Sequence, residues 1–581
     1  MKKQVSSGDW LKRIQRSQKY RDQVRDRQGW QRFLDYYEGD YRMNGKKIQS
    51  PPINIVYGYI QTGIARIYFR DPHITVNPTK VVSPNGARIL EEVINYLFRE
   101  LGMKSENGKM LLDTYLISHG WIKYGYKADI GQQEQDVSGE PSEFIKSEEI
   151  FASYVPWDDV LFDVTLCKDP PHDCRWIAHR IIKPLDEIKG NPEFENTETI
   201  SSNVSVKDDK GDKIDDTLKD SDLDLFEYWE IWDKDSNMIY CVAEGMDGFL
   251  KQTQNNYAMK GLPFSMFKFN PLPNKPYPLS DIALIEPQIL ERIKLRAGQV
   301  NHIKRWARQL SIEKGSMSIN EIGKFEQGID GAVTEREKGS APPTPIQYAA
   351  MQAETFQLDD LIQRDMDAVI GQTDVERGGV ARTKTDTLGE LKEQTAGTAS
   401  RSAKRQDMLE DFLEEEARKL IALIQQFQTT PKYVRITGMA PEEIQQAFQG
   451  MQTDANGFYF TKDDIQGEYD IEVKAGSTLP MNRENKLKVM EALLNPAVAT
   501  AIGIIQGPML PTPVGLELGK EIIRELDLKG VEKVYEQQIA ALSAPPMLPA
   551  PGGPLALPIS EPAQVPPVLN GQQNLNTPVL T

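Results

Sequence analysis

Residues 279 to 428 place two helix-length segments around a Gly/Pro-punctuated insert and lead through a basic loop into a long charged helix, an order that constrains this chain more than any other feature. In the first segment, 279–310, Ile282, Ile285, Ile289, Ile293, Val300 and Ile303 fall near the i, i+3, i+4, i+7 spacing that gives a helix one apolar stripe. Arg292, Lys294, Arg296, Lys304, Arg305 and Arg308 make it mostly basic, and Pro287 predicts a break or kink just before it. The second segment, 351–370, offers Phe356, Leu361, Ile362, Met366, Val369 and Ile370 for burial and carries Glu354, Asp359, Asp360, Asp365 and Asp367. Helices of opposite sign can pair within a chain or between neighbouring subunits, where charge fixes partner and register. Ordinary solvated charge explains the same residues.

Between them, residues 311–350 contain Gly315, Gly323, Gly328, Gly331, Gly339 and an Ala-Pro-Pro-Thr-Pro run at 341–345, which predicts a small excursion with short strands. After the second segment comes a loop, 371–387, where Arg377, Arg382 and Lys384 stand beside Gly378 and Gly379. Such cations can touch nucleic-acid phosphates without reading sequence. The loop is not a nucleotide-binding P-loop: Thr383, not Gly, precedes Lys384, and no apolar strand leads in. A helix follows from Asp386 to about Phe427, with small residues around Gly397 suggesting a kink. Leu409, Phe412, Leu413, Leu420, Ile421, Ile424 and Phe427 form its apolar face, and Asp407, Glu410, Asp411, Glu414, Glu415 and Glu416 are expected on the solvated one.

The motifs of catalysis are missing: no G-x-S-x-G and no H-E-x-x-H occurs, and only five histidines are present. No catalytic residue, metal or cofactor is assigned. Cys167, His172, Cys174 and His179 tempt a zinc assignment, but Cys-x6-Cys is not usual ligand spacing. Three cysteines in all, Cys241 included, fit free thiols better than a disulfide framework. Asp233-Lys-Asp-Ser-Asn237 imitates the start of a calcium loop, yet Met238 occupies the position that wants Gly. The flanks 226–232 and 238–243 read as strands, so a β-hairpin accounts for the same residues.

Elsewhere, residues 9–48 look helical and charged, 86–118 show helical periodicity, and Trp121–Tyr126 alternates as a strand. The polar stretches 128–148 and 197–222 read as loops. Segments 484–498 and 515–543 are helix-like, and 544–581 is Pro-rich with a single charge at Glu561, which predicts disorder or an extended arm. The fold class is α+β, and a length of 581 residues suggests several cores. A net charge of −17 is unlike the basic excess of a conventional nucleic-acid binder, and acidic surfaces also serve solubility. No run of 18 apolar residues occurs and the first residues lack a signal-peptide core.

Taken in order, these segments resemble the portal proteins, or head-to-tail connectors, of tailed bacteriophages, and the P22-like portal family most closely. Asn54–Pro72 with Ile74–Pro78 is similar to that family's early helix and strand, Val155-Pro-Trp-Asp-Asp-Val-Leu-Phe-Asp163 to its turn before a strand, and Tyr469–Pro480 with Asn482–Lys488 to the strand and helix after its long helix. The likeness spans roughly residues 30–540. It implies a homo-oligomeric ring of about twelve subunits around a channel at one capsid vertex, a heterologous assembly that closes on itself. Double-stranded DNA would pass through it during packaging and ejection.

By that likeness, 1–278 is a wing region, 279–310 and 351–370 the stem helices, 311–350 the clip, 371–387 the tunnel loop, 388–483 the long wing helix with return strands, 484–543 a helical crown and 544–581 a tail. Arg377, Arg382 and Lys384 would lie nearest DNA, with Lys304, Arg305 and Arg308 as further candidates. Partners implied are other copies of the chain, the terminase large subunit, major capsid and scaffolding proteins, and a neck or tail adaptor at the clip; no membrane is involved. The chain would be made in the host cytoplasm and end in the virion. An acidic bore with sparse cations lets DNA slide without sticking. A non-catalytic adaptor or scaffolding protein is the alternative, and a terminase-like enzyme would need the missing nucleotide motif.

Overall fold

A computed structural model describes residues 5–43, 46–47, 54–79, 84–133, 142–203, 224–306, 310–327, 333–346, 354–370, 388–436, 441, 444–445, 448, 450–454, 456–474, 477–478, 505–506 and 510–511. The chain divides into two units, Met1–Pro480 and Met481–Thr581.

The first unit opens with helices α1 (Ser7–Gln28) and α2 (Trp30–Tyr37). Ser6 caps α1 by accepting the Asp9 N–H at 3.3 Å. Gly29, at φ 79°, supplies the left-handed residue that ends α1 and starts α2. The helical reading of 9–48 stops there, because 42–47 is a short hairpin of β1 (Arg42–Met43) and β2 (Lys46–Lys47). Helix α3 (Ile55–Ile67) is capped by Asn54, strand β3 (Ile74–Pro78) follows, and α4 (Pro84–Glu100) and α5 (Met103–Leu116) fill the periodic stretch 86–118.

Two antiparallel sheets come next. Strands β4 (His119–Gln133) and β5 (Ser142–Val155) are long arms of one hairpin, so much of the polar stretch expected as loop is paired strand. Cross-strand hydrogen bonding satisfies the backbone whatever the side chains are, so a polar composition does not exclude a strand. Strands β6 (Val160–Phe162) and β7 (Trp176–Pro184) precede a short helix α6 (Leu185–Gly190). Then come β8 (Leu225–Asp233), β9 (Met238–Val242), β10 (Lys251–Gln254) and β11 (Phe264–Lys268). The sheets run β11-β4-β5 and β10-β9-β8-β7-β6.

The β8–β9 hairpin is the one expected in place of a calcium loop. Asp233 turns it by accepting the N–H groups of Asp235 at 3.3 Å and Ser236 at 3.2 Å. Lys123 on β4 ties the sheets together, forming an ion pair with Glu230 on β8 and donating to His179 Nδ1 on β7 at 3.2 Å. Burial, reinforced by Lys123, pushes the His179 pKa down to about 3, so the ring accepts as a neutral base.

Cys167 and Cys174, in the loop between β6 and β7, are joined by a disulfide with Cα atoms 4.7 Å apart, which corrects the expectation of three free thiols. The loop folds on itself, Cys167 N–H donating to the Asp163 carbonyl at 3.0 Å and Cys174 N–H to the Pro171 carbonyl at 3.3 Å, and so brings the sulfurs together. Cys241 is free and buried.

Helix α7 (Asp281–Trp306) continues through Pro287, so of the expected break or kink the break does not occur. Proline removes one hydrogen bond, and burial of Ile282, Ile285, Ile289 and Ile293 carries the helix across it. The insert begins and ends in paired strands, β12 (Leu310–Ser311) and β13 (Thr344–Pro345), as expected, with an unforeseen helix α8 (Ile319–Gln327) between them. Helix α9 (Glu354–Ile370) returns alongside α7, and α10 (Leu388–Phe427) has a continuous helical backbone through Gly397.

Strands β14 (Lys432–Arg435), β15 (Thr453–Asp454) and β16 (Gly457–Phe460) form a small sheet, and β17 (Tyr469–Val473) pairs antiparallel with β3 from the far end of the sequence. One apolar core runs from Trp30 and Phe33 through α4, α5 and β4 to the buried face of α10; a second joins Trp10 and Ile14 of α1 to Trp176, Trp229 and Tyr240. In the second unit, β18 (Ile505–Gln506) and β19 (Leu510–Pro511) make a hairpin. The helix-like segments 484–498 and 515–543, the tail 544–581 and the acidic stretch 204–223 lie outside the described residues.

Candidate functional site

The basic and acidic helices pair within the chain. Arg292 of α7 reaches Asp359 of α9, Nε to Oδ1 at 2.9 Å, and also donates to Gln363, whose own amide donates to Asp367 at 2.9 Å. Ile362, Met366 and Ile370 bury the α9 side of this contact. Arg292 is thus held by the acidic partner, and Lys294 and Arg296 are exposed.

The root of α7 is fixed by a buried ion pair. Asp281, 2% exposed, receives Arg405 of α10 at 2.8 Å, the Tyr59 hydroxyl at 2.9 Å and the Asn270 amide at 2.7 Å. Ser280 beside it donates to the Leu116 carbonyl at 2.7 Å. The Arg405 guanidinium also lies over Phe269, 4.9 Å from the ring centroid. Burial works against its charge, and Asp281 with Tyr59 and Tyr115 outweighs that penalty and raises its pKa. With three hydrogen-bonding partners on the carboxylate, the pair meets the condition under which a buried salt bridge is tolerated.

Helix α10 buries Leu409, Phe412, Leu413, Leu420, Ile421 and Ile424 as its pattern predicts, but Glu416 lies inside as well. Its carboxyl accepts from Asn107 at 2.9 Å and Tyr124 at 3.0 Å, and burial pushes its pKa up to about 8. The signal was available, since 409, 413, 416, 420 and 423 continue one helical stripe and only the carboxylate at 416 disguised it. One turn on, Lys419 is buried too, donating to Ser265 at 2.8 Å and pairing with Glu415 at 2.7 Å. Burial lowers its pKa.

These contacts fix the described elements on either side of the basic loop. The loop lies outside the described residues, and with it Arg377, Arg382 and Lys384; Arg308 does too. Lys304 and Arg305 belong to the last turn of α7, with only their backbone described. The zinc quartet is not assembled: His172 faces Glu415 at 3.7 Å and His179 lies on β7. Among the described residues the one converging group of ligating side chains is Cys167, Asp173 and Cys174. No helix among them is long and apolar enough to cross a membrane.

No curated protein matches the chain. Residues 289–549 match the family described as Phage P22-like portal protein, a span that takes in most of α7, the insert, α9, the basic loop, α10 and the β17 strand. Over residues 289–549 the chain is similar to the P22-like family of phage portal proteins.

Proposed function

We propose that this chain is a phage portal protein and assembles as a closed ring of about twelve copies around a channel for double-stranded DNA, each copy meeting the next through a heterologous interface. The observation that carries the reading is the family match over 289–549, a stretch holding the pinned α7–α9 pair, the insert and α10 in the order expected of stem, clip and long wing helix. The insert serves as docking site for the terminase large subunit and then for a neck or tail adaptor, and capsid and scaffolding proteins surround the ring at one vertex. The chain contributes no catalysis; the motor's chemistry belongs to its partner.

Arg377, Arg382 and Lys384, with Lys304, Arg305 and Arg308 as weaker contacts, meet phosphates without sequence preference. An overall charge of −17 per copy keeps DNA from adhering elsewhere.

Negative-stain electron microscopy with mass photometry of the purified chain tests this. The expected result is a closed ring whose pore exceeds the roughly 20 Å width of a duplex, as a heterologous cyclic assembly permits. A monomer that stays ringless at high concentration, and when co-expressed with capsid and scaffolding proteins, would sink the reading in favour of an adaptor that joins a ring made by another protein.

A further inference from the structure

The loop between β6 and β7 carries a group that the channel reading does not use. Cys167 and Cys174 are each 1% exposed, and Asp173 beside them is exposed, so the cluster opens to solvent on its carboxylate side. Its ligand atoms, two sulfurs and a carboxylate oxygen, lie within 4.8 Å of one another. Asp173 is held in place: Oδ1 accepts the Asp169 N–H and Oδ2 the Lys168 N–H, each at 2.9 Å. That fixed carboxylate places Oδ1 3.0 Å from Cys167 Sγ, a sulfur that carries no hydrogen while the disulfide stands. An anionic oxygen set against a sulfur with nothing shared between them fits a site whose other state puts a proton or a cation there.

We propose that, once the disulfide is reduced, Cys167, Cys174 and Asp173 bind one thiophilic divalent cation of the zinc class. The steps balance. Two equivalents of a small-molecule thiol reduce the disulfide and leave as their own disulfide; the two protein thiols then lose two protons to solvent as their sulfurs coordinate the cation. Three protein ligands leave a fourth, tetrahedral position to water, reached from the exposed Asp173 side. Metal–sulfur bonds of about 2.3 Å set the sulfurs roughly 3.8 Å apart, a separation that side-chain rotation in this loop supplies. The six-residue spacing that argues against a zinc site in the sequence is overcome by the loop's own turns, which bring the two Cα atoms to 4.7 Å. His172 and His179 take no part.

The test uses the full chain, reduced without oxygen by a phosphine and titrated with Co²⁺. The expected result is one Co²⁺ per chain with a sulfur-to-cobalt charge-transfer band, displaced by Zn²⁺. The band survives in Cys241→Ser, vanishes in Cys174→Ser, and in Asp173→Asn needs about tenfold or more Co²⁺. A chain whose two thiols react with a thiol reagent while neither the band nor bound Co²⁺ appears would overturn the proposal. So would a folded chain whose Cys167 and Cys174 stay closed to reductant. Because the measurement concerns one loop of one chain, it stands or falls apart from ring formation.

Discussion

Replacing Glu416 by glutamine should make this protein more stable, and by an amount that depends on pH. In the unfolded chain the carboxyl ionises around 4.5, and in the folded chain burial raises that to about 8, although Asn107 and Tyr124 donate to it. Between those values the folded state holds a proton that the unfolded state has released, so stability falls as pH rises and levels off above the folded pKa. At 1.36 kcal/mol per pH unit the side chain weights the unfolded state by roughly 3 kcal/mol at pH 7 and roughly 5 kcal/mol above pH 8.

Glutamine keeps the shape, accepts one of the two hydrogen bonds through its oxygen and never ionises. Glu416→Gln is therefore expected to be about neutral near pH 4, and stabilising by roughly 2–3 kcal/mol at pH 7, part of the gain being offset by an imperfectly matched amide. Urea unfolding of parent and variant at equal chain concentration, followed by tryptophan fluorescence at pH 4.5, 7 and 9, measures the difference without interference from other titrating groups. Fixed concentration matters because assembly adds to apparent stability. A difference that stays flat across the three pH values, or a variant less stable than the parent at pH 9, would refute the argument.

Arg405→Ala strands the Asp281 carboxylate in the core and should destabilise the chain by about 3–5 kcal/mol, whereas Arg405→Met combined with Asp281→Asn should recover much of the loss; urea midpoints compare them. Gly120→Ala would put a Cβ 2.2 Å from the Met110 carbonyl oxygen, forcing α5 away from β4. Overpacking of this kind costs about 1–3 kcal/mol and should appear as a lower melting temperature. Changing Arg377, Arg382 and Lys384 together to Gln should leave ring formation intact by electron microscopy and reduce genome packaging or retention; loss of the rings themselves would make those residues structural.

What the sequence discloses here divides along physical lines. Periodic apolar residues announce α4, α5, α7, α9 and the apolar face of α10, because a single stripe at 3.6 spacing has few other uses. The Asp-Lys-Asp-Ser-Asn turn announces the β8–β9 hairpin, since local side-chain-to-backbone bonds decide it. Features set by distant packing stay hidden. Whether a carboxylate at 416 faces water or Asn107 depends on α5 and β4, whether two cysteines meet depends on the path of a loop, and whether Pro287 breaks a helix depends on what its neighbours bury. The polar arms of β4 and β5 were hidden for another reason: strand pairing satisfies backbone groups whatever the side chains are. The proposed DNA contacts rest on the sequence alone, since Arg377, Arg382 and Lys384 lie outside the described residues; packing adds how the elements flanking them are fixed.

The pairing of β3 with β17 sets a timetable for synthesis. Thr75 Oγ1 donates to the carbonyl of Glu472, 397 positions later, and Arg70 reaches the Ser477 carbonyl across 407. Closing contacts of such sequence separation is slow, and on a ribosome it cannot begin until the later partner has emerged. Until then Ile74 and Val76 lack the strand that completes their sheet, and the nascent chain carries an unpaired edge of the kind that invites mispairing. The last-made part of the first unit thus decides when that unit is complete. Truncating the chain before Tyr469 should yield an aggregation-prone fragment, not a smaller ring.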